Sequence, residues 1–312
     1  MLNRRKLIQS GLTAGAMLSL GSRWARGQSS VQNITLNVNS YTFDGLTAGP
    51  KSGELVLCNV GFPEFVESLI PILQALAQMG YYAVAMNPRG YSVAAQPLDP
   101  SLYTDAYLVS DILAFADALG YEQFHLLGQD WGGWTASSVA AQYPQRVLTL
   151  TALGTGPKNA LVSALQTDPD QQSKSAYSMY FQNTPPRGPE DSLLANNGAG
   201  LRMAYQGILA ESVVDSYIAR FMQSSSMLTG PINYYRAINY STPQAPITVP
   251  TTFVWGNADA YYGRTAALNV ASCCTGPYQF FELPGKSHWL ADEVPDAIIS
   301  ILQLQLSSKG QL

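Results

Sequence analysis

Histidine and cysteine are scarce in this chain, two and three respectively among 312 residues. Three cysteines exclude a disulfide scaffold and a Cys-rich zinc module. Two histidines exclude a His-rich metal site. Charge is also low, 12% of residues against roughly 25% in average soluble chains. Low charge fits a membrane protein or a disordered chain, yet neither class survives. A multi-span protein needs uninterrupted apolar runs of about 18 residues, and none is present. Disorder is excluded by a hydrophobic content of 46% and an aromatic content of 11%, enough to build a core. Internal repeats and low-complexity tracts are lacking too. What is left is a large globular domain, or one domain with an insertion.

The first 27 residues stand apart. Asn3-Arg4-Arg5-Lys6-Leu7-Ile8 sets paired arginines ahead of a weakly apolar stretch from Gly11 to Leu20. Ala25-Arg26-Gly27 then offers small residues before a cleavage point. The segment resembles a twin-arginine export signal and is too short to span a bilayer stably. A basic amphipathic terminus is the other reading. The export reading predicts a protein in the bacterial periplasm or secreted, with the signal removed near Gly27. Residues 1–27 carry five basic and no acidic residues, so the remainder holds 12 basic and 21 acidic residues, a net of −9. That balance argues against nucleic acid and anionic membrane surfaces as partners. No stable membrane insertion of the mature chain is expected.

Beyond the signal, strand-like and helix-like segments alternate. Short apolar runs at Glu54–Asn59, Tyr82–Met86, Gln123–Leu127, Val147–Leu153, Thr251–Trp255 and Pro277–Glu282 read as buried parallel strands. Helices are predicted over Phe65–Gln78, Thr104–Leu119, Gly132–Tyr143 and Val294–Leu306, three of them stopped by Gly80, Gly120 and Pro144. Residues 157–246 break the alternation with Pro185-Pro186, many Gln, Ser and Asn residues, and no clear strand. The pattern predicts an α/β protein, with a mostly parallel central sheet covered by helices on both faces. Residues 28–156 and 247–312 would form that core, and 157–246 an inserted helical lid.

Gly128-Gln129-Asp130-Trp131-Gly132 lies between a predicted strand and a predicted helix. Two glycines permit a sharp turn that presents its central residue above the sheet. This is nucleophile-elbow geometry, with Asp where esterases carry Ser. An Asp there also serves as a plain helix N-cap.

The chain from about residue 31 onward resembles the α/β-hydrolase fold, and within it the epoxide hydrolases. Gly128-Gln-Asp-Trp-Gly-Gly133 is similar to that family's nucleophile segment. Gly61-Phe62-Pro63-Glu64 is similar to its oxyanion loop, although Val60 stands where the family has His. Asn87-Pro-Arg-Gly-Tyr-Ser92 resembles the turn after the next strand. Trp255-Gly-Asn-Ala-Asp259 resembles the acid loop, and Gly285-Lys-Ser-His288-Trp289 the histidine loop. His125 falls inside the strand before the elbow, where a buried, satisfied histidine is expected. His288 is left as the base. The orienting acid has two homes in this fold, and no Asp or Glu occurs from Val147 to Thr167, so Asp259 is the candidate. Tyr177-Ser-Met-Tyr180-Phe181-Gln182 and Gly230-Pro-Ile-Asn-Tyr234-Tyr235-Arg236 resemble the two lid segments that carry functional tyrosines. The resemblance matches Tyr180 and Tyr235 and assigns Tyr177 and Tyr234 to packing. Cys273-Cys274 reads as a turn feature, with a vicinal disulfide as the alternative.

These residues suit the opening of a small apolar epoxide by water. Asp130 would attack a ring carbon and form an ester. Tyr180 and Tyr235 would donate to the developing alkoxide. His288, oriented by Asp259, would activate water, and the backbone N–H groups of Phe62 and Trp131 would hold the oxyanion. The product is a vicinal diol, and the scheme calls for no metal or organic cofactor. A haloalkane dehalogenase uses the same Asp-His-Asp set and is the alternative. Trp131 fits it, but Phe62 stands where its Asn would be. An exported non-catalytic binding protein on a hydrolase shell is the alternative of another class.

Overall fold

The computed structural model describes residues 30–224 and 226–307. The segment read as an export signal lies outside the described residues. Eight strands form one sheet, in the order β1-β2-β4-β3-β5-β6-β7-β8. They are β1 (Gln32–Val38), β2 (Tyr41–Ala48), β3 (Leu55–Asn59), β4 (Tyr82–Met86), β5 (Phe124–Gln129), β6 (Val147–Leu153), β7 (Thr251–Gly256) and β8 (Tyr278–Leu283). From β4 onward along the sheet every pairing is parallel. The β1–β2 and β2–β4 pairings are antiparallel.

The β1–β2 hairpin was not among the strands read from the sequence. Its signal was present. Ile34, Leu36 and Val38 alternate with polar residues, and Asn39-Ser40 follows. Both turn residues take positive φ, 49° and 65°, as a tight two-residue hairpin turn requires. The helix expected from Phe65 begins instead as a 3-10 turn, Val66–Leu69, and becomes α1 only at Ile70–Gln78. Pro71 sits in its first turn, where a missing N–H costs nothing.

The strands distribute neighbouring side chains to opposite faces. Leu57, Leu126 and Phe253 join one core cluster, with Phe115 of α2 (Asp105–Leu119) and Ala136 of α3 (Trp131–Gln142). Val56, Leu127 and Val254 join the other, with Leu73 of α1 and Ile298 of α12 (Pro295–Ser307). Both faces are covered, which explains unbroken apolar runs rather than alternation.

Between β6 and β7 the chain forms six helices. They are α4 (Lys158–Thr167), α5 (Pro169–Lys174), α6 (Ala176–Asn183), α7 (Gly188–Ala204), α8 (Glu211–Phe221) and α9 (Ser226–Arg236). Ala160 and Ala164 of α4 pack in the sheet's own core. Phe181, Leu201, Phe221, Tyr234 and Tyr235 instead form a third cluster with Phe62, Trp131 and Trp289 from the ends of the strands. Hydrogen bonds fasten the two parts: Tyr205 Oη donates to the Pro63 carbonyl at 2.6 Å, and Tyr234 Oη to that of Arg89 at 2.8 Å. Two short helices complete the chain, α10 (Arg264–Asn269) and α11 (Leu290–Glu293). No helix among the described residues is long and apolar enough to cross a membrane.

Candidate active site

Asp130 occupies the single residue between β5 and α3. Its backbone sits at φ 53°, ψ −123°, a sparsely populated region that marks a sharp, strained turn. The turn closes only around glycine, since a Cβ at Gly128 would lie 2.2 Å from the Gly132 carbonyl oxygen. The turn therefore holds the carboxylate over the carboxyl edge of the sheet, where ligand sites of open α/β folds lie.

The loop after β3 meets it there. Phe62 N–H donates to Asp130 Oδ1 at 2.7 Å. A Cβ on Gly61 would stand 2.1 Å from that same oxygen, so the approach depends on glycine. Val60, the departure from the family's His, is buried in the apolar cluster beneath the loop. The Phe62 donor reaches its target without a histidine at that position. Trp131 begins α3, so its N–H is one of the helix's free donors.

His288 follows β8 and Asp259 follows β7. His288 Nδ1 lies 2.7 Å from Asp259 Oδ2, and Nε2 lies 3.2 Å from Asp130 Oδ2. Asp259 is held in turn, its Oδ1 accepting from Tyr261 N at 2.7 Å and Tyr262 N at 2.9 Å. All three side chains are nearly closed off, with residue exposures of 8% for Asp130, 2% for Asp259 and 1% for His288. Burial opposes a charged imidazole here, but the flanking Asp259 and Asp130 carboxylates outweigh it and push the His288 pKa up to about 10. The ring is thus an imidazolium between two carboxylates at neutral pH. His125 is buried in β5, 2.8 Å from Thr149 Oγ1 and 3.4 Å from Glu54.

The tyrosines divide differently from the expectation. Tyr235 is buried against Trp131, Phe181, Phe62 and Tyr177, with ring centroids 5.1 to 5.8 Å apart. Tyr180 does not join it. Its side chain points outward and the residue is 45% exposed. Tyr177 lines the cavity beside Asp130 and Tyr235 instead. The physical reason is helix phase. Ser178 and Phe181 set the buried face of α6; at about 3.6 residues per turn, Tyr177 flanks that face and Tyr180 falls beyond it. Burial, then the Asp130 carboxylate, raise the Tyr177 pKa well above the usual phenol value. Burial, then Tyr177 and Asp130, do the same for Tyr235. Both hydroxyls remain protonated donors. Tyr234 packs nearby and spends its hydroxyl on the Arg89 carbonyl.

Gln129, Glu64 and Tyr261 also shape the site without standing out in the sequence. Gln129 points away from the cavity; its Nε2 donates to Glu64 Oε2 at 2.7 Å and its Oε1 accepts from Ala291 N at 2.9 Å. It ties the nucleophile turn to both neighbouring loops. Glu64 is fully buried, and its burial, reinforced by Asp292, keeps the carboxyl well above the usual carboxylate range. Tyr261 packs its ring 5.2 Å from His288 and closes the cavity wall. Cys273 and Cys274 are buried and unbonded.

Comparison with known proteins agrees with this architecture. Residues 54–295 match the α/β-hydrolase fold family. Epoxide hydrolase 4 of Homo sapiens is 30% identical over 281 residues, covering 86% of this chain and 76% of that protein. An AB hydrolase superfamily protein of Bacillus subtilis, YfhM, is 29% identical over 278 residues, covering 86% and 96%. The crystal structure of an epoxide hydrolase from Bacillus megaterium with an inhibitor superposes with a TM-score of 0.78 at 23% identity, covering 88% of this chain and 100% of that one. The chain is therefore a hydrolase of the α/β-hydrolase fold and belongs to the epoxide hydrolases within it.

Proposed function

We propose that this enzyme converts an epoxide to a vicinal diol through a covalent ester on Asp130. One observation carries the reading: a carboxylate faces a buried imidazole and a backbone N–H on one side, and two protonated phenols across the cavity. Similarity to epoxide hydrolase 4 of Homo sapiens supports it.

The geometry divides the work between the two carboxylate oxygens. Oδ1 sits on Phe62 N–H, where the ester's carbonyl oxygen must lie, and this leaves Oδ2, on the His288 side, as the attacking atom. It bonds to a ring carbon, the ring C–O bond breaks, and Tyr177 or Tyr235 gives its proton to the departing oxygen. Forming the ester removes the Asp130 charge. The imidazolium loses part of what held it cationic and returns a proton to the phenolate. Neutral His288 then takes a proton from water, which adds to Cγ of the ester. The resulting oxyanion develops on Oδ1, against Phe62 N–H and the free N–H of Trp131. Collapse expels the diol oxygen with the proton of the added hydroxyl, and Asp130 is a carboxylate beside an imidazolium again. Asp259 orients the ring and balances its charge throughout.

The same reading takes 157–246 as the lid over this site and residues 1–27 as an export signal. Incubation with styrene oxide and, separately, with a bromoalkane tests the reaction. Diol from the first, with little bromide from the second, is the expected outcome. Bromide without diol would replace this reading with dehalogenation, and neither product would favour a binding protein.

A further inference from the structure

Two cavities meet at Asp130, Tyr177, Tyr235 and Tyr261, and they differ in chemistry. The larger, about 260 Å³, runs between Phe62, Pro63, Phe181, Leu193, Met203 and Trp289. Its walls are mostly apolar. The smaller, about 50 Å³, extends past Trp134 to Ser175, Ser178, Tyr240 and Tyr262. These four hydroxyls gather in the smaller arm with that of Thr155.

Those hydroxyls are not all spent on one another. Tyr262 is only 2% exposed, and its hydroxyl hydrogen has no acceptor among the described residues. Ser178 Oγ and Tyr240 Oη lie 3.4 Å apart, so one of the two hydrogens is used and the other is free. Ser175 Oγ accepts from Gln171 Nε2 at 2.9 Å and keeps its own hydrogen to donate. A buried donor without an acceptor is costly, and a ligand oxygen would relieve it.

We propose that the natural substrate is an internal epoxide with unlike ends. A longer apolar group fills the larger arm, and a short group bearing a hydroxyl or carbonyl oxygen fills the smaller. The ring lies at the junction, where Asp130 and the two phenols line both arms. A terminal epoxide leaves one arm empty and the donors of the smaller arm unpaired. The inference rests on the epoxide reading of the same site and adds to it the number and character of the substituents.

Three matched probes test it on the mature enzyme. The first is a trans-epoxide with a hydroxymethyl group on one carbon and a heptyl chain on the other. The second replaces the hydroxymethyl group by methyl, and the third is the terminal epoxide with the same heptyl chain. The hydroxymethyl probe should exceed the methyl probe in kcat/KM by about tenfold, the worth of roughly one well-made hydrogen bond. Both should exceed the terminal probe. Tyr262→Phe should narrow the ratio of the first two towards one. Ser178→Ala, a smaller change in the same arm, should narrow it too if Tyr262→Phe does not fold. Equal turnover of the first two probes, or a terminal probe that outruns them, overturns the inference while leaving the epoxide reading intact. No diol from any probe or from styrene oxide defeats the epoxide reading itself.

Discussion

The backbone N–H of Phe62 donates to Oδ1 of Asp130 at 2.7 Å. The donor that would hold an ester oxyanion is thus already on the nucleophile, and Gly61 is what lets the loop come so near. Gly61→Ala places a carbon where the carboxylate oxygen now sits, 2.1 Å away. The loop must retreat. We expect kcat to fall by about 10²-fold or more, the scale of losing one oxyanion donor, with circular dichroism unchanged. Full activity in a folded Gly61→Ala variant would refute the assignment of this loop.

Asp130→Asn should abolish turnover, by roughly 10⁶-fold, as removal of a nucleophile does elsewhere. His288→Gln should still open the ring but stall at the ester. Mass spectrometry after mixing that variant with styrene oxide should find one substrate mass added to the peptide containing Asp130. An unmodified peptide would mean that no ester forms.

The phenols provide a comparison within one helix. Tyr177→Phe and Tyr235→Phe should each slow single-turnover ring opening by about 10- to 100-fold, within the range of general acid catalysis. Tyr180→Phe, 45% exposed, should stay within about twofold. A slow Tyr180→Phe beside a normal Tyr177→Phe would reverse the assignment drawn from the phase of α6.

His288 gives the pH dependence a definite sign. Its folded pKa, about 10, exceeds the ordinary value of about 6.5. The stabilisation is therefore complete below about pH 6.5 and is lost as pH rises towards 10. The difference in melting temperature between the parent and His288→Gln should shrink steadily over that window. In Asp130→Asn the imidazole should titrate at lower pH, followed by NMR, because one flanking carboxylate is gone. An imidazole that titrates near 6.5 in the parent would contradict the ion-paired arrangement.

The nucleophile turn was legible because glycine spacing and a flanking buried strand are local features. His288 was legible by scarcity, as the other of two histidines lay within a strand. Asp259, which the structure sets 2.7 Å from His288, followed from the empty stretch Val147–Thr167. The choice between Tyr177 and Tyr180 was not local. Both lie in one turn of an eight-residue helix, and only Phe181 and Ser178 meeting the rest of the aromatic cluster decides its phase. The Gln129 link to Glu64 and Ala291 joins residues far apart in sequence. Nothing in a single segment announces it. The β1–β2 hairpin is a different case, since its alternation and turn were readable and were passed over.

The export reading concerns residues that the structure does not describe. Protein recovered from the periplasm or the medium should begin near Gln28 or Ser29 by N-terminal sequencing. Recovered protein that still carries Met1 would end that reading.

The helical segment leaves the sheet after β6 and returns at β7, and these strands are direct neighbours, with Leu150 opposite Thr251. Its two ends are clasped to each other: Asn159 Nδ2 donates to the Gln244 carbonyl at 2.8 Å, and Gln244 N–H donates to Asn159 Oδ1 at 2.9 Å. Asp130, Asp259 and His288 all lie outside it. Taken as the proposed roof, the segment is thus separable from those three residues. Another set of helices joined at that clasp would bring a new appetite to the same three residues, provided it carried its own phenols.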